Sequence, residues 1–320
     1  MGSGSDSGVA VLIAAYNAEV TIARSVASAL AQPEVIEVCV IDDLSEDGTV
    51  AAALACDDGT GRLKVLRQQS NQGPGAARNR GIDESRAPFL CVLDADDYLL
   101  AGRTASLLAH RHDAELVCDD LLRVFEGAEH ERPDPVWDIG AVATISFETF
   151  VDRNVPRAGS PRQELGFLKP LIRRSFLDAH GLRYSDKLRL GEDFELYARA
   201  LALGGRMLIT PAAGYVAVMS AASLSGRHTE RDLVALRDAS ARLRDLRRMS
   251  FGERRAVGRY TNNLDCKVAW LRLIDAVKAR DFRCMAATFL KPGPVPGYLA
   301  ARLAEQVVER TFLRRLKAAS

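Results

Sequence analysis

The sequence predicts an α/β fold on a doubly wound, mainly parallel sheet, and three observations predict it. Mainly apolar runs of strand length recur at residues 9–14, 35–41, 63–66 and 89–93, unbroken in the first and last and carrying Glu37 and Lys64 in the other two. Segments of helical pattern separate them, and polar residues (Asn17, Asp42-Asp43, Asp94) follow three of the four runs directly. Runs that are apolar throughout, rather than alternating, belong to strands covered on both faces. Such strands alternating with helices give a parallel sheet, whose ligands bind beyond the carboxyl ends of the strands.

The elements follow in order. Residues 18–31 carry Val20, Ala23, Val26, Ala27 and Leu30 on one helical face, and 49–55 and 75–84 read as the next helices. Between 126 and 165, Pro133, Pro135, Pro156 and Pro161 interrupt every pattern, which predicts loops with short strands. A helical stripe of Phe194, Leu196, Ala198 and Leu201 marks 188–203, and 207–209 and 214–218 read as strands. Beyond residue 227 the chain is rich in arginine, with helices predicted near 229–248, 254–279 and, after the proline hinge 291–297, over 298–317.

Composition bounds the function. Of the 320 residues 48% are hydrophobic and 27% charged, enough to bury a core and too apolar for a disordered chain. No apolar run approaches the ~18 residues that span a bilayer, and the Gly/Ser-rich leader 1–8 lacks the basic flank and apolar stretch of a signal peptide. The six cysteines form no CxxC pair and no zinc spacing, so reduced core thiols in a cytoplasmic protein are expected. The net charge of +1 hides a split. Residues 227–320 carry 21 Lys and Arg against 10 Asp and Glu, whereas residues 1–226 carry 22 against 32. An acidic front suits carboxylates that do chemistry or hold cations, and a basic back suits a surface that meets anions.

Four motifs carry the chemistry. Asp94-Ala-Asp96-Asp97 sets three carboxylates within four residues at a strand end, a pattern suited to a hard divalent cation and its phosphates, although a solvated turn or helix cap would also use aspartate. Asp42-Asp43-Leu-Ser45-Glu-Asp47-Gly-Thr49 lies between a strand and a helix, where Asp43 could accept from a base N–H and Ser45 or Asp47 could cap the helix. Asn71-Gln-Gly73-Pro-Gly75-Ala-Ala-Arg78-Asn79-Arg80-Gly81 combines a tight turn with arginines able to face phosphate oxygens near a helix start. Gly191-Glu192-Asp193 opens a helix with carboxylates at the positive end of its dipole.

Taken together, in this order and spacing, the motifs resemble family 2 glycosyltransferases of the GT-A fold over roughly residues 9–226. Ala15-Tyr16-Asn17 matches the family's first strand end, residues 42–49 its base-binding segment, 71–81 its Asn-to-Gly helix, 94–97 its metal motif, Glu192-Asp193 its base motif, and Ser223-Leu-Ser225 its later S-x-S element. The texture of residues 12–16 and 222–227 resembles bacterial exopolysaccharide glucosyltransferases of the succinoglycan type. The resemblance implies a nucleotide-binding half at 9–125, an acceptor half at 126–226 and a basic helical extension at 227–320. It implies that Asp43 contacts uracil with Ala14 and Tyr16 lining its pocket, that Asp94 and Asp96 hold ribose and a Mg2+ or Mn2+ ion with Asp97 in support, and that Asp193 is the base. Two departures stand out: no proline precedes Tyr16, and the strand at Tyr215 lacks the Arg or His that relatives often carry before S-x-S, where Arg227 or His228 could substitute.

The implied reaction is inverting transfer of one sugar, glucose from UDP-glucose, to a hydroxyl of a polyprenyl-diphosphate-linked oligosaccharide, on the inner face of the cell membrane. The final helix sets Leu299, Leu303, Val307, Phe312, Leu313 and Leu316 among basic residues, compatible with lying on an anionic membrane or with packing. Another cell-surface glycan or a protein could instead be the acceptor. Other classes fit less well. A haloacid-dehalogenase-type phosphatase places its DxD near the first strand, a nucleotidyltransferase needs a Gly-rich basic loop after that strand, and a nucleic-acid binder leaves the ordered carboxylates without a role, so no nucleic-acid partner is expected.

Overall fold

The computed structural model describes residues 7–156, 164–219 and 228–319, and from residue 309 onward the backbone only. The first half runs β1 (Val9–Ala15), α1 (Ile22–Leu30), β2 (Val35–Asp42), α2 (Thr49–Leu54), β3 (Leu63–Arg67), α3 (Pro74–Glu84) and β4 (Phe89–Val92). These are the alternating elements that the apolar runs predict. β1 is buried along almost its whole length, as a strand covered on both faces requires. It pairs in parallel with β2 on one side and β4 on the other, so the strand order reverses at β1. The reversal opens a crevice beyond the carboxyl ends of β1 and β4, where Asn17 and Asp94 follow their strands.

The second half continues with β5 (Tyr98–Leu99), α4 (Arg103–Leu108), β6 (Leu116–Asp119), β7 (Leu122–Phe125), β8 (Asp134–Pro135), β9 (Ala143–Ile145), α5 (Phe147–Arg153), β10 (Leu171–Arg173), α6 (Arg174–Ala179), α7 (Glu192–Ala202), β11 (Met207–Thr210) and β12 (Tyr215–Met219). The large sheet has the order β3-β2-β1-β4-β10-β6-β11-β9, and β5-β12-β7-β8 form a smaller one. The large sheet is mainly parallel. β10 runs against both β4 and β6, and β9 against β11.

Residues 126–165 contain the expected short strands and also a helix, α5, that the proline-broken pattern conceals. Ser146 caps it by accepting the Thr149 N–H, and Phe150 stacks on Phe194 of α7 with ring centroids 5.6 Å apart. The basic extension forms α8 (Glu230–Arg242), α9 (Phe251–Ala279), α10 (Phe282–Phe289) and α11 (Val295–Ala319). One hydrophobic cluster runs from Val9 to Val268, so α8 and the first part of α9 share the core of the sheet. Among the described residues no helix is long and apolar enough to cross a membrane. Leu299, which the sequence places on a membrane-facing stripe, is instead buried with Val295 against Cys266, Ala269 and Leu273. Leu303 and Val307 of the stripe are exposed, while Phe312, Leu313 and Leu316 lie beyond the described side chains, as Ser223, Ser225 and Arg227 lie outside the described residues.

A fully buried ion pair ties the halves of the sheet together. Arg103 of α4 donates to both oxygens of Asp119 at the end of β6 and to the Lys169 carbonyl, at 2.6 Å. Asp119 also accepts the N–H groups of Ala213, Gly214 and Tyr215. Removing one partner of such a pair strands the other charge without water. Asp119→Ala is therefore expected to cost about 3–5 kcal/mol of stability, read as a lower urea midpoint in equilibrium unfolding.

Candidate active site

The loops after β1 and β2 are laced together before any ligand enters. Asn17 takes a left-handed conformation, φ 49°, tolerated because its short polar side chain bonds locally. Its amide accepts the Glu46 N–H at 2.9 Å, and its own N–H donates to Ser45 Oγ at 2.9 Å. Tyr16 beside it is exposed, and Ala14 is half-buried under it. Of the two candidate caps for α2, Asp47 serves, accepting the Thr49 N–H at 3.0 Å, while Ser45 serves Asn17.

Asp43 is buried, and its carboxylate holds the next loop. It accepts from Gln68 Nε2 at 2.8 Å and from the N–H groups of Gln72 and Gly73 at 2.8 and 2.7 Å. Gly73 is the residue that starts α3, with φ +89°, so Asp43 fixes where that helix begins. Three of its roughly four acceptor positions are filled, and one is left for a ligand donor.

Arg78 and Arg80, adjacent in the motif, diverge. Arg80 donates to the Arg67 carbonyl on β3. Arg78 is buried and faces carboxylates where the sequence reading turns it toward phosphate. Nη1 donates to Glu192 Oε1 at 2.7 Å and Asp193 Oδ1 at 3.1 Å, and Nη2 to Asp94 Oδ1 at 2.8 Å. Lys169, also buried, completes the arrangement, with Nζ 2.8 Å from Asp193 Oδ2 and 2.9 Å from Asp94 Oδ2. Asp94 and Asp193, 99 positions apart in the chain, are thus bridged by two cations.

The electrostatics follow from this alternation. Burial works to raise the Asp94 carboxyl, but Lys169 and Arg78 outweigh it and hold Asp94 below the ordinary carboxylate range. Burial likewise works to lower Lys169, and Asp193 with Asp94 raise it, so Nζ stays charged. The two other carboxylates of the motif differ. Asp97 receives Tyr215 Oη at 2.7 Å and the Val218 N–H at 2.9 Å. Desolvation and the charges of Asp94 and Asp96 push its carboxyl upward. Asp96 reaches solvent, yet desolvation and Asp94 raise it too.

Among the described residues no three His, Cys, Asp or Glu side chains converge as a metal site. Asp94 and Asp96 nonetheless fit a divalent cation of the kind held by one or two carboxylates, substrate phosphates and water. Their mutual repulsion, expressed in the raised Asp96, is what a cation between them would relieve. Asp97 is committed to Tyr215 and Val218 and supports the loop.

The sequence singles out Asp94, Asp193 and Arg78, and the structure brings all three together. It leaves Asp43, Tyr16 and Asn17 on the neighbouring loops. Lys169 escapes sequence reading because it is a lone lysine between Leu168 and Pro170, with no motif around it.

Carboxylates from the loop after β4 and the first turn of α7, bridged by two buried cations, thus stand beyond the carboxyl ends of the strands at the point where the strand order reverses. Residues 10–159 match the family model described as "Glycosyl transferase family 2". The succinoglycan biosynthesis protein ExoU of Rhizobium meliloti (strain 1021) is 42% identical over 303 residues, covering 93% of this chain and 87% of that one. A shorter match, 34% over 96 residues, covers 30% of this chain and 37% of the UDP-Glc:alpha-D-GlcNAc-diphosphoundecaprenol beta-1,3-glucosyltransferase WfgD of Escherichia coli. The chain belongs to glycosyl transferase family 2. Its fold is GT-A: the structure of S. aureus TarS 1-349 in complex with UDP-GlcNAc superposes with a TM-score of 0.60, at 17% identity, over 88% of this chain and 90% of that one.

Asp97 gives a pH prediction. A carboxyl that binds its proton more tightly in the folded state stabilises the fold while protonated, and that contribution is lost as pH rises through the raised pKa. In chelator, thermal stability should fall between about pH 4 and pH 8, and Asp97→Asn should flatten the slope. Equal slopes in the two proteins would show that Asp97 is not held protonated.

Proposed function

We propose that this glycosyltransferase moves one sugar, glucose from UDP-glucose, to a hydroxyl of a polyprenyl-diphosphate-linked oligosaccharide, with inversion at the anomeric carbon, in assembly of a succinoglycan-type bacterial exopolysaccharide. The single observation that carries the reading is the bridging of Asp94 and Asp193 by Arg78 and Lys169. It joins the carboxylate expected beside the diphosphate to the one expected beside the acceptor. The names of ExoU and WfgD support the pathway, the donor and the lipid-borne acceptor.

In this reading Asp43 and the Tyr16 loop receive the base, and Asp94 and Asp96 hold the ribose side and the cation. A bound Mg2+ or Mn2+ would neutralise charge developing on the leaving diphosphate. Asp193 stands in the first turn of α7, set by Gly191 in a left-handed conformation, φ +68°. As base it takes the proton of the acceptor hydroxyl while that oxygen bonds to the anomeric carbon. The bond to the diphosphate oxygen breaks, and its electron pair leaves with UDP. Attack opposite the leaving group turns an α-linked donor into a β-linked product.

The ground-state pairing sets a condition on this step. Both Asp193 oxygens are engaged by cations, Oδ1 by Arg78 and Oδ2 by Lys169, so one must be freed to meet the acceptor hydroxyl. The incoming diphosphate competes for Lys169 and Arg78, so donor binding itself would loosen their hold on Asp193. The charge needed to stabilise the leaving group is then the charge taken from the base. We place the reaction on the cytoplasmic face of the membrane, where nucleotide sugars meet polyprenyl carriers, with the 227–320 extension on the acceptor side.

Two measurements test the reading. Asp193→Asn should bind UDP-glucose as well as the unaltered enzyme does and lose transfer by about 10²–10⁴-fold; near-normal turnover would remove Asp193 as base. Lys169→Met should raise the donor KM by about tenfold or more, the loss expected for one charged hydrogen bond. A screen of UDP-, GDP- and dTDP-sugars with Mg2+, Mn2+ or chelator identifies the donor, and failure with UDP-glucose alone would redirect the donor assignment.

A further inference from the structure

α10 packs one flank on its neighbours and leaves large apolar side chains exposed at both of its ends. Its one fully buried residue is polar, Thr288, whose hydroxyl bonds the Cys284 carbonyl. Phe282, Ala286 and Leu290 follow at four-residue spacing and point outward, Phe282 being 77% and Leu290 83% exposed. Residues at this spacing share one helix face. Met285 and Phe289, on the flank next to Phe282, are half-buried and touch the small cluster of α9 and α11, so the outward surface lies between Phe282 and Leu290.

The cations beside this face are unneutralised. Arg280 closes α9 in a left-handed conformation, φ 56°, Arg283 lies in the first turn of α10, and Lys291 follows Leu290. None of the three has an ion pair among the described residues. The intervening Asp281 uses its carboxylate to accept the Cys284 N–H.

We propose that this face of α10 docks on an anionic lipid surface, with Phe282 and Leu290 entering the headgroup–acyl boundary and Arg280, Arg283 and Lys291 meeting lipid phosphates. Aromatic and aliphatic side chains ringed by Arg and Lys are the pattern of interfacial helices, whose binding grows with buried apolar area and with attraction to anionic lipid. The alternatives fit less well. A two-fold contact with a second copy would set the same three cations against their equivalents. Stable protein interfaces exclude charge from their apolar centre, whereas here charge flanks a short convex ridge. The proposal differs from the membrane stripe read along residues 298–317, whose Leu299 is committed to packing. It needs neither donor nor acceptor assignment, so its failure would leave the transferase reading untouched.

The test is co-sedimentation of the full chain with vesicles of phosphatidylcholine alone and of phosphatidylcholine with phosphatidylglycerol. Binding is expected only to the anionic vesicles. Phe282→Ser combined with Leu290→Ser should weaken it by about tenfold or more, and Arg280→Gln, Arg283→Gln and Lys291→Gln together by a similar factor. Because these side chains are exposed, unchanged thermal unfolding and circular dichroism of the variants should show that the fold is kept. Equal binding to both vesicle types, or unaltered binding of the Phe282/Leu290 variant, would overturn the proposal. Self-association that this variant abolishes, in a protein that ignores vesicles, would also overturn it and give the face to a second copy.

Discussion

Buried charges of like sign cannot stand together unless opposite charges stand between them, and this constraint organises the molecule beyond the carboxyl ends of β1 and β4. Asp94 and Asp193 enter from different halves of the sheet, and Arg78 and Lys169 occupy the positions where their oxygens converge. Each cation would be costly to bury alone, as would each carboxylate. The alternating set fixes side-chain rotamers from α3, the β4 turn, the segment before β10 and the start of α7 without a ligand.

A second layer holds the first. Arg103 and Asp119 are wholly buried, and Arg103 anchors the Lys169 main chain through its carbonyl. Tyr215 links the same layer to the turn after β4, since its hydroxyl lies between the Asp94 N–H and Asp97 Oδ2 while its ring lies under the Arg103 guanidinium. β12, which carries Tyr215 and Val218, is in this way tied to the Asp94–Asp97 turn. The cost of these buried polar groups is offset by mutual satisfaction, and the result is a charged cluster whose geometry is set by the fold itself.

Much of this was legible in the chain. β1, β2 and β4 follow from runs of mainly apolar residues, because burial on both faces removes the alternation of a half-exposed strand, whereas β3 is a half-buried edge strand of only five residues. The strand-end carboxylates were legible for the same reason: a polar residue directly after a buried strand has few places to be except the sheet's binding edge. α5 was not legible, because seven residues with one phenylalanine pair give little periodicity and its stability comes from Phe194 and the α9 surface. β10, of three residues, was hidden in the same way, and its reversed direction is a property of pairing.

Local pattern by itself determined the α/β class, the order of the first strands and the identity of three of the four charged partners. Spacing and residue type record which side chains sit at strand ends and helix starts. The tertiary structure alone decided what those groups do to one another: that Arg78 faces carboxylates, that Asp43 is largely occupied by its own loop, and that Lys169 joins the site at all. It also decided that Phe282 and Leu290 at the ends of α10 face outward while Phe289 packs, which a helical period cannot say. Charge pairing and burial depend on distance through space, and a lone lysine 75 residues from one partner and 24 from the other leaves no trace along the chain.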